Sequence, residues 1–183
     1  MSEYWKVYEG GVPIRFGTYN ICNGCNGGLE LALSEMAQAN MYLGIFLETK
    51  VIDGIYTCGS AGYSVVAMDM PSQHRGGVSV FHRPAPYFAV EAVHNFDPNV
   101  VGFQLATGMR KWFIVGCYLA PDDTLTIESV VDALKERPMG AELPVAGDFN
   151  AKLAEPEGDR RGEDIAVAMS TEGLEDMSSH FLP

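Results

Sequence analysis

Polar side chains follow four short apolar runs of this sequence, at the points where the runs stop. In chain order these side chains belong to Asn20, Glu48, Tyr118 and the pair Asp148 and Asn150. Carboxylate, amide and phenol groups suit the binding of phosphate or of a hard metal ion. If the runs are buried strands, their ends can meet at one rim of a sheet, where the sites of layered α/β proteins commonly lie. The sequence therefore predicts a phosphate or metal site built from strand ends.

The segment Gly147-Asp148-Phe149-Asn150 has two interpretations. Side chains at positions i and i+2 of an extended strand point to the same side, as a shared site requires. The same four residues also make an ordinary Asx-type turn. Glu48 could likewise be a carboxylate that only meets solvent at a strand end, and Tyr118 a half-buried aromatic. The residues alone leave both interpretations open.

The elements that must position these side chains are many short strands and three helices. We predict strands over residues 14–20, 43–48, 63–68, 76–81, 88–93, 100–106, 111–118 and 143–149. We predict helices over residues 29–40, 124–136 and 163–172, the last closed by Gly173, and loops over residues 54–62 and 154–162. Mixed hairpin-like and β-α-β runs favour an α/β fold with two packed sheets and helices outside, rather than a doubly wound parallel sheet.

Length and composition predict a single globular domain over residues 1–183. The net charge is −12, and residues 122–183 carry 15 acidic against 5 basic side chains. Such a charge repels a polyanion and argues against a histone-like or arm-type DNA-binding module. If nucleic acid is the substrate, a local site with a divalent cation, or a basic segment elsewhere in the parent protein, must overcome this field.

The cysteines and the apolar runs indicate in which cellular compartment the protein is expected. Cys22 and Cys25 form a CxxC, but no second CxxC or close His pair completes a zinc site. A redox role stays open, and reduced thiols in an intracellular protein are the prediction. No run reaches the roughly 20 apolar residues of a membrane span, and the N-terminus has no secretory signal pattern. We therefore predict no membrane partner.

Five blocks carry a resemblance to a known family: residues 18–21, 47–50, 76–80, 116–121 and 147–150. In this order and spacing they resemble the endonuclease/exonuclease/phosphatase superfamily, which has the DNase I-like fold. They are most similar to the endonuclease domain of non-LTR (LINE-type) retrotransposons. The resemblance runs from about residue 13 to the end, and it implies a two-sheet α/β sandwich that is incomplete at its C-terminus.

The resemblance implies roles for the strand-end residues. Glu48 is the metal carboxylate, and Asn20 supports the metal or holds a phosphate oxygen. The cofactor is Mg²⁺, or Mn²⁺ in its place. Asp148 orients or deprotonates the attacking water, while Asn150 and Tyr118 hydrogen-bond the phosphate. Apart from the resemblance, Asn23 is either a further phosphate contact or an ordinary turn residue. Lys50, Arg110 and Lys111 either contact the nucleic-acid backbone or, as exposed basic residues usually do, only meet solvent.

The implied function is a divalent-metal-dependent DNA endonuclease that nicks its substrate to prime reverse transcription. Its partners are DNA and a reverse transcriptase joined to it in a parent polyprotein, and its location is nuclear if it acts on genomic DNA. Two other functions stay open. One is a phosphatase or phosphodiesterase of the same fold on small substrates, which the acidic surface favours. The other is a non-catalytic remnant.

The sequence departs from the family pattern at several points. Leu47 stands where Gln is usual, and Cys22 stands where some relatives carry an acidic ligand. The central Asp motif and the C-terminal Ser-Asp-His of the family are not visible, and His180 comes too early to replace that His. We therefore expect a C-terminally truncated chain whose isolated residues 1–183 have weak or no nuclease activity.

Overall fold

The computed structural model describes residues 3–9, 12–22, 28–49, 54–58, 62–67, 76–85, 89–108, 110–121, 125–151 and 159–174. The chain divides into two compact units, Met1–Asp148 and Phe149–Pro183. The first unit contains the described strands and two helices, and the second contains a third helix. The single domain predicted over residues 1–183 stays a prediction.

The described residues form ten strands and three helices. The strands are β1 (Glu3–Glu9), β2 (Val12–Asn20), β3 (Leu43–Leu47), β4 (Gly54–Cys58), β5 (Tyr63–Ala67), β6 (Val78–His82), β7 (Ala89–Asp97), β8 (Val100–Thr107), β9 (Arg110–Tyr118) and β10 (Val145–Asp148). The helices are α1 (Gly28–Gln38), α2 (Leu125–Lys135) and α3 (Arg160–Thr171).

Two mixed sheets form the first unit. One sheet has six strands in the order β1-β2-β3-β6-β5-β4, and the other has four in the order β10-β9-β8-β7. Each contains one parallel pair, β2 with β3 and β10 with β9, and the other pairs are antiparallel. Parallel neighbours end at the same edge of a sheet. Asn20 accordingly lies opposite Leu47, and Asp148 lies opposite Tyr118.

The two sheets pack face to face around a shared apolar core. Alternate residues of β3, Leu43, Ile45 and Leu47, face the second sheet in this core, where they meet residues such as Phe103 and Ile114. All five are at most 3% exposed. Burying a side chain of this size contributes about 1.5–3 kcal/mol to folding. The alternation of side chains along a strand thus decides which face of β3 enters the core.

Helices cover the outer faces of the sandwich. The opposite face of β3 presents Phe46, which packs with Leu33 and Met36 of α1. Gly44 leaves room for this helix, because a Cβ at Gly44 would lie 2.7 Å from the side chain of Met36. On the second sheet, α2 packs against β7, β8 and β9. The predicted two-sheet α/β sandwich is confirmed.

Two strands and several element boundaries differ from the sequence prediction; β7, for example, extends to Asp97 rather than to residue 93. β4 occupies residues 54–58, which we predicted as loop, and β1 was not predicted at all. Both are edge strands, so each pairs on one side only and depends on a neighbour that local pattern does not reveal. Helix α3 begins at Arg160 rather than at residue 163, because Asp159 already takes the extended N-cap conformation.

Helix α3 has its own buried stripe in the second unit, formed by Gly162 and Ile165. The helix ends at Thr171, and Gly173, whose φ is +67°, closes it as predicted. The amide of Leu174 donates to the carbonyl of Met169 at 2.8 Å beyond this turn, as in a Schellman motif. Within the described part of the chain, none of the helices has the length and apolarity that a membrane crossing requires.

Candidate functional site

The ends of the two parallel strand pairs bring four of the predicted side chains together. Asn20 ends β2, Glu48 follows β3, Tyr118 ends β9 and Asp148 ends β10. The first two come from one sheet and the last two from the other, and all four lie in the first unit. The rim of the sandwich therefore collects an amide, a phenol and two carboxylates.

The side-chain amide of Asn20 joins the two carboxylates. Its Nδ2 donates to Oε1 of Glu48 at 2.8 Å and to Oδ2 of Asp148 at 3.2 Å. Its Oδ1 accepts a hydrogen bond from the backbone amide of Cys22 at 2.9 Å. An ionised Asp at this position could not donate, so Asn holds two like charges near each other in a way that a carboxylate could not. Asn20 thus orients the acidic pair.

Glu48 takes a backbone conformation that most residues avoid. Its φ is +54°, in the left-handed region, which costs a non-glycine residue about 1–2 kcal/mol. The next residue, Thr49, is fixed by the surrounding structure. Its amide donates to the carbonyl of Gly77 at 3.2 Å, and its buried hydroxyl accepts from Ser79 Oγ at 3.0 Å. A strained residue held by its surroundings is typical of a functional site.

Tyr118 is 7% exposed and hydrogen-bonds Glu48 with its phenol group. Burial raises the pKa of Tyr118 to about 12, and the negative charges of Glu48 and Asp148 act in the same direction. The phenol therefore keeps its proton at neutral pH and acts as a hydrogen-bond donor.

Asp148 owes its place to the glycine before it. A Cβ added at Gly147 would overlap the carbonyl oxygen of Cys117 on the neighbouring strand. The backbones of β9 and β10 can approach this closely only because position 147 has no side chain. The amide of Leu119 then donates to the carbonyl of Asp148 at 2.9 Å. In the Gly-Asp-Phe-Asn segment, Gly147 thus serves the strand pairing that positions Asp148.

The donor set suits a small hard cation. Two carboxylates, Glu48 and Asp148, are held close together by one amide, and both carry hard oxygen ligands. Mg²⁺ is usually held by one or two carboxylates together with water and substrate phosphate. Among the described residues, no group of three or more His, Cys, Asp and Glu side chains is arranged to hold a metal ion. The chain's own contribution would therefore be this pair, and the predicted ligand role of Asn20 stays a prediction.

The other predicted residues are not among these four side chains. Asn150 belongs to the second unit, where it is exposed with a φ of +45°. Arg110 and Lys111 begin β9, at the opposite end of that strand from Tyr118, and Arg110 Nη1 lies 3.7 Å from Glu142 Oε1. The remaining predicted positions, Asn23, Lys50 and His180, lie outside the described residues.

Sequence reasoning missed residues that support the rim from behind. Thr49 and Ser79 form a buried hydroxyl pair, and Asn99 links the β7–β8 turn to Gly77 by a hydrogen bond of 2.8 Å. In the sequence, Asp97-Pro98-Asn99 has only the composition of a turn. No local signal distinguishes an Asn that ends a hairpin from one that also reaches another sheet.

Solved structures share this fold. The endonuclease domain of TRAS1, a telomere-specific non-LTR retrotransposon, has a TM-score of 0.67 and 23% identity over 90% of this chain and 74% of that chain. D. rerio TDP2 complexed with a single-strand DNA product has a TM-score of 0.54 and 16% identity, covering 88% of this chain and 65% of that one. An endonuclease/exonuclease/phosphatase family protein from Bacteroides thetaiotaomicron has a TM-score of 0.56 and 8% identity over 91% and 70%.

No protein-family model and no curated protein matches this chain. At the identities of the structural neighbours, the likeness establishes the fold. The predicted resemblance to the endonuclease/exonuclease/phosphatase proteins, including the retrotransposon endonuclease domain, is thereby confirmed at the level of the fold.

Proposed function

We propose that this chain carries the site of a divalent-metal-dependent phosphodiester hydrolase that nicks DNA. One observation carries the proposal: a single amide, that of Asn20, holds Glu48 and Asp148 together beside the protonated phenol of Tyr118. Support comes from the fold, which is shared with a retrotransposon endonuclease domain and with a protein solved with a DNA product.

Each residue then has a role that its contacts support. Asp148 orients or deprotonates the attacking water, since it is the carboxylate at the end of β10 and its position is set by Asn20. Tyr118 keeps its single phenol proton at neutral pH and donates it to a phosphate oxygen in place of Glu48 when substrate is bound. Asn20 keeps both carboxylates aimed at the same point. Asn150 keeps the role implied by resemblance, donation to the phosphate, as a prediction.

Glu48 and Asp148 would hold the Mg²⁺ or Mn²⁺. When bound, the cation would supply neutralisation of the charge on the phosphate oxygens. The cation would also offset the repulsion between the two carboxylates. Its positive charge would oppose the field of the acidic protein, whose net charge is −12, and so would make the approach of a polyanion to the site less unfavourable.

Nicking of supercoiled plasmid by pure residues 1–183 tests the proposal. We expect slow nicking that requires Mg²⁺ or Mn²⁺ and stops on addition of EDTA. Glu48→Gln and Asp148→Asn should each abolish nicking, because each replaces one carboxylate oxygen of the pair with an amide nitrogen and changes little else. Loss of a group that acts in the transition state typically costs about 10² to 10⁴ in rate.

Glu128→Gln is the matched control, because Glu128 is an exposed carboxylate on α2. It should nick like the wild type. Nicking that persists in both site variants would contradict the proposal. A folded wild type that does not nick under any divalent cation would instead favour the non-catalytic remnant.

A phosphatase or phosphodiesterase on small phosphorylated substrates is the second candidate. The acidic surface favours it, because residues 122–183 carry 15 acidic and 5 basic side chains and a small ester meets less repulsion than a polyanion. Turnover of soluble phosphate esters without plasmid nicking would reverse the order of the two candidates.

The retrotransposon origin is part of the proposal. It implies genomic DNA as substrate, action in the nucleus, and a reverse transcriptase encoded in the same reading frame. Sequencing the genomic locus beyond the codon for Pro183 tests this. A frame that continues into a reverse transcriptase supports it, and a frame that continues into an unrelated domain contradicts it.

A further inference from the structure

Asn99 connects the two sheets immediately behind the candidate site. It lies in the turn between β7 and β8, where its backbone amide donates to Asp97 Oδ1 at 2.8 Å. Its side-chain Oδ1 accepts from the amide of Gly77, which directly precedes β6 of the first sheet, at 2.8 Å. Its carbonyl accepts from the amide of Tyr118, in the second sheet, at 2.9 Å. One residue therefore contacts the backbone on both sides of the sandwich.

The first side of this connection leads to Glu48. The carbonyl of Gly77 accepts from the amide of Thr49, the residue after Glu48, at 3.2 Å. The Thr49 and Ser79 hydroxyls, both buried, hydrogen-bond at 3.0 Å beside it. These contacts hold the backbone next to Glu48, whose φ of +54° needs such support.

The second side leads to Tyr118, and through its phenol group back to Glu48. The contacts thus close a ring from Glu48 through Thr49, Gly77, Asn99 and Tyr118 to Glu48 again. Close packing supports the same link, since a Cβ at Gly76 would overlap the side-chain oxygen of Asn99. The adjacent amide of Val78 also donates to the carbonyl of Pro98 at 3.1 Å.

We propose that Asn99 is a positioning residue, which sets the spacing between Glu48 and Tyr118 by tying the start of β6 to the end of β9. Asn99 acts through the backbone groups of Gly77 and Tyr118. Its effect on catalysis rests on the proposed function, whereas its effect on the two backbones does not.

Backbone amide hydrogen exchange of residues 1–183, followed by NMR, tests the geometric part. Asn99→Ala removes the acceptor for Gly77, and Asn99→Asp keeps an oxygen there. We expect the amides of Thr49 and Tyr118, as well as Gly77, to exchange about tenfold faster in Asn99→Ala and to regain their protection in Asn99→Asp. Asn95→Ala, at an exposed Asn on β7, is the matched control and should change none of the three.

Plasmid nicking by the same variants tests the catalytic part. We expect the rate at saturating DNA to fall about tenfold in Asn99→Ala with little change in KM, and to recover in Asn99→Asp. If the wild type does not nick, the proposed function fails while the exchange measurement still decides the role of Asn99.

Faster exchange confined to Gly77 would overturn the proposal, because the effect would then be local. Failure of Asn99→Asp to restore protection, or a change in KM alone, would do the same. If Asn99→Ala does not fold, Asn99→Ser takes its place, because the serine oxygen is one bond closer to the backbone than Oδ1 and does not reach the amide of Gly77. Faster exchange at Thr49 and Tyr118 is expected there, and unchanged exchange would overturn the proposal.

Discussion

Asn20 and Asp148 are 128 residues apart in the chain, and the side-chain amide of one lies 3.2 Å from the carboxylate of the other. The contact crosses from the first sheet to the second, since Asn20 ends β2 and Asp148 ends β10. The packing of one sheet on the other therefore sets the distance between Asn20 and Asp148 in the proposed site. Changes at this rim should therefore affect stability as well as chemistry.

Asn20→Asp should destabilise the fold at neutral pH. An ionised Asp cannot donate to Glu48 and Asp148, and it adds a third negative charge beside them. We expect a loss of about 1–3 kcal/mol in the free energy of unfolding, measured by urea denaturation. Added Mg²⁺ should recover part of this loss, because the cation offsets the repulsion among the carboxylates.

Asn95→Asp makes the same chemical change at an exposed position and should cost much less than Asn20→Asp. If both variants lose the same stability, the amide of Asn20 does not hold the acidic pair as the hydrogen bonds indicate. If Mg²⁺ stabilises neither Asn20→Asp nor the wild type, the acidic pair does not bind the cation as proposed.

In Tyr118→Phe, the free energy of unfolding should fall less steeply with rising alkaline pH than it does in the wild type. The folded pKa of Tyr118 is about 12, above the ordinary value of 10.0. Between these values the folded state holds a proton that the unfolded chain has released. The stabilisation is thus complete below about pH 10 and is lost as the pH rises toward 12, by up to about 1.4 kcal/mol per pH unit.

Urea unfolding at several pH values from 8 to about 11.5 measures this slope. Each variant is referred to its own stability at pH 8, which removes the effect of the lost hydrogen bond to Glu48. Equal slopes for the wild type and Tyr118→Phe would show that the phenol titrates normally.

Cys117 should resist alkylation in the folded protein. It is fully buried, and burial, with Asp148 as the second cause, raises the pKa of its thiol to about 12. The thiolate is the reactive form, and it is scarce at pH 8. Peptide mass mapping after iodoacetamide treatment should show modification at Cys22, which is exposed, and at Cys117 only in urea. Modification of both at similar rates in the folded state would contradict the structure.

Gly147→Ala should be much more damaging than Gly44→Ala. At Gly147 the new methyl group overlaps a backbone carbonyl of the paired strand, which cannot move without opening the β9–β10 pair. At Gly44 it meets the flexible end of Met36 at 2.7 Å, which can shift. We expect losses of more than about 3 kcal/mol and of about 1 kcal/mol, respectively, in the free energy of unfolding.

Urea denaturation of both variants provides the comparison. Similar losses would mean that the close approach of Gly147 to Cys117 is relieved by a small backbone shift, and that Asp148 is less firmly placed than the hydrogen bonds indicate.

The sequence by itself determined the central strands and the residues that end them. An apolar run such as residues 43–47 specifies a buried strand through the burial of its own side chains, and the polar residue that stops it marks the rim. Asn20, Glu48, Tyr118 and Asp148 were predicted on that basis together with the family resemblance. The edge strands β1 and β4 were not predicted, because their stability comes from a neighbouring strand.

Only the tertiary structure decided how these residues meet. The order of the strands in each sheet and the packing of one sheet on the other bring Asn20 between Glu48 and Asp148. They also turn Asn99, an ordinary turn residue in the sequence, into a link between Gly77 and Tyr118. Hydrogen bonds across sheets depend on strand order and register over the whole unit, whereas apolar alternation is a property of a few successive residues.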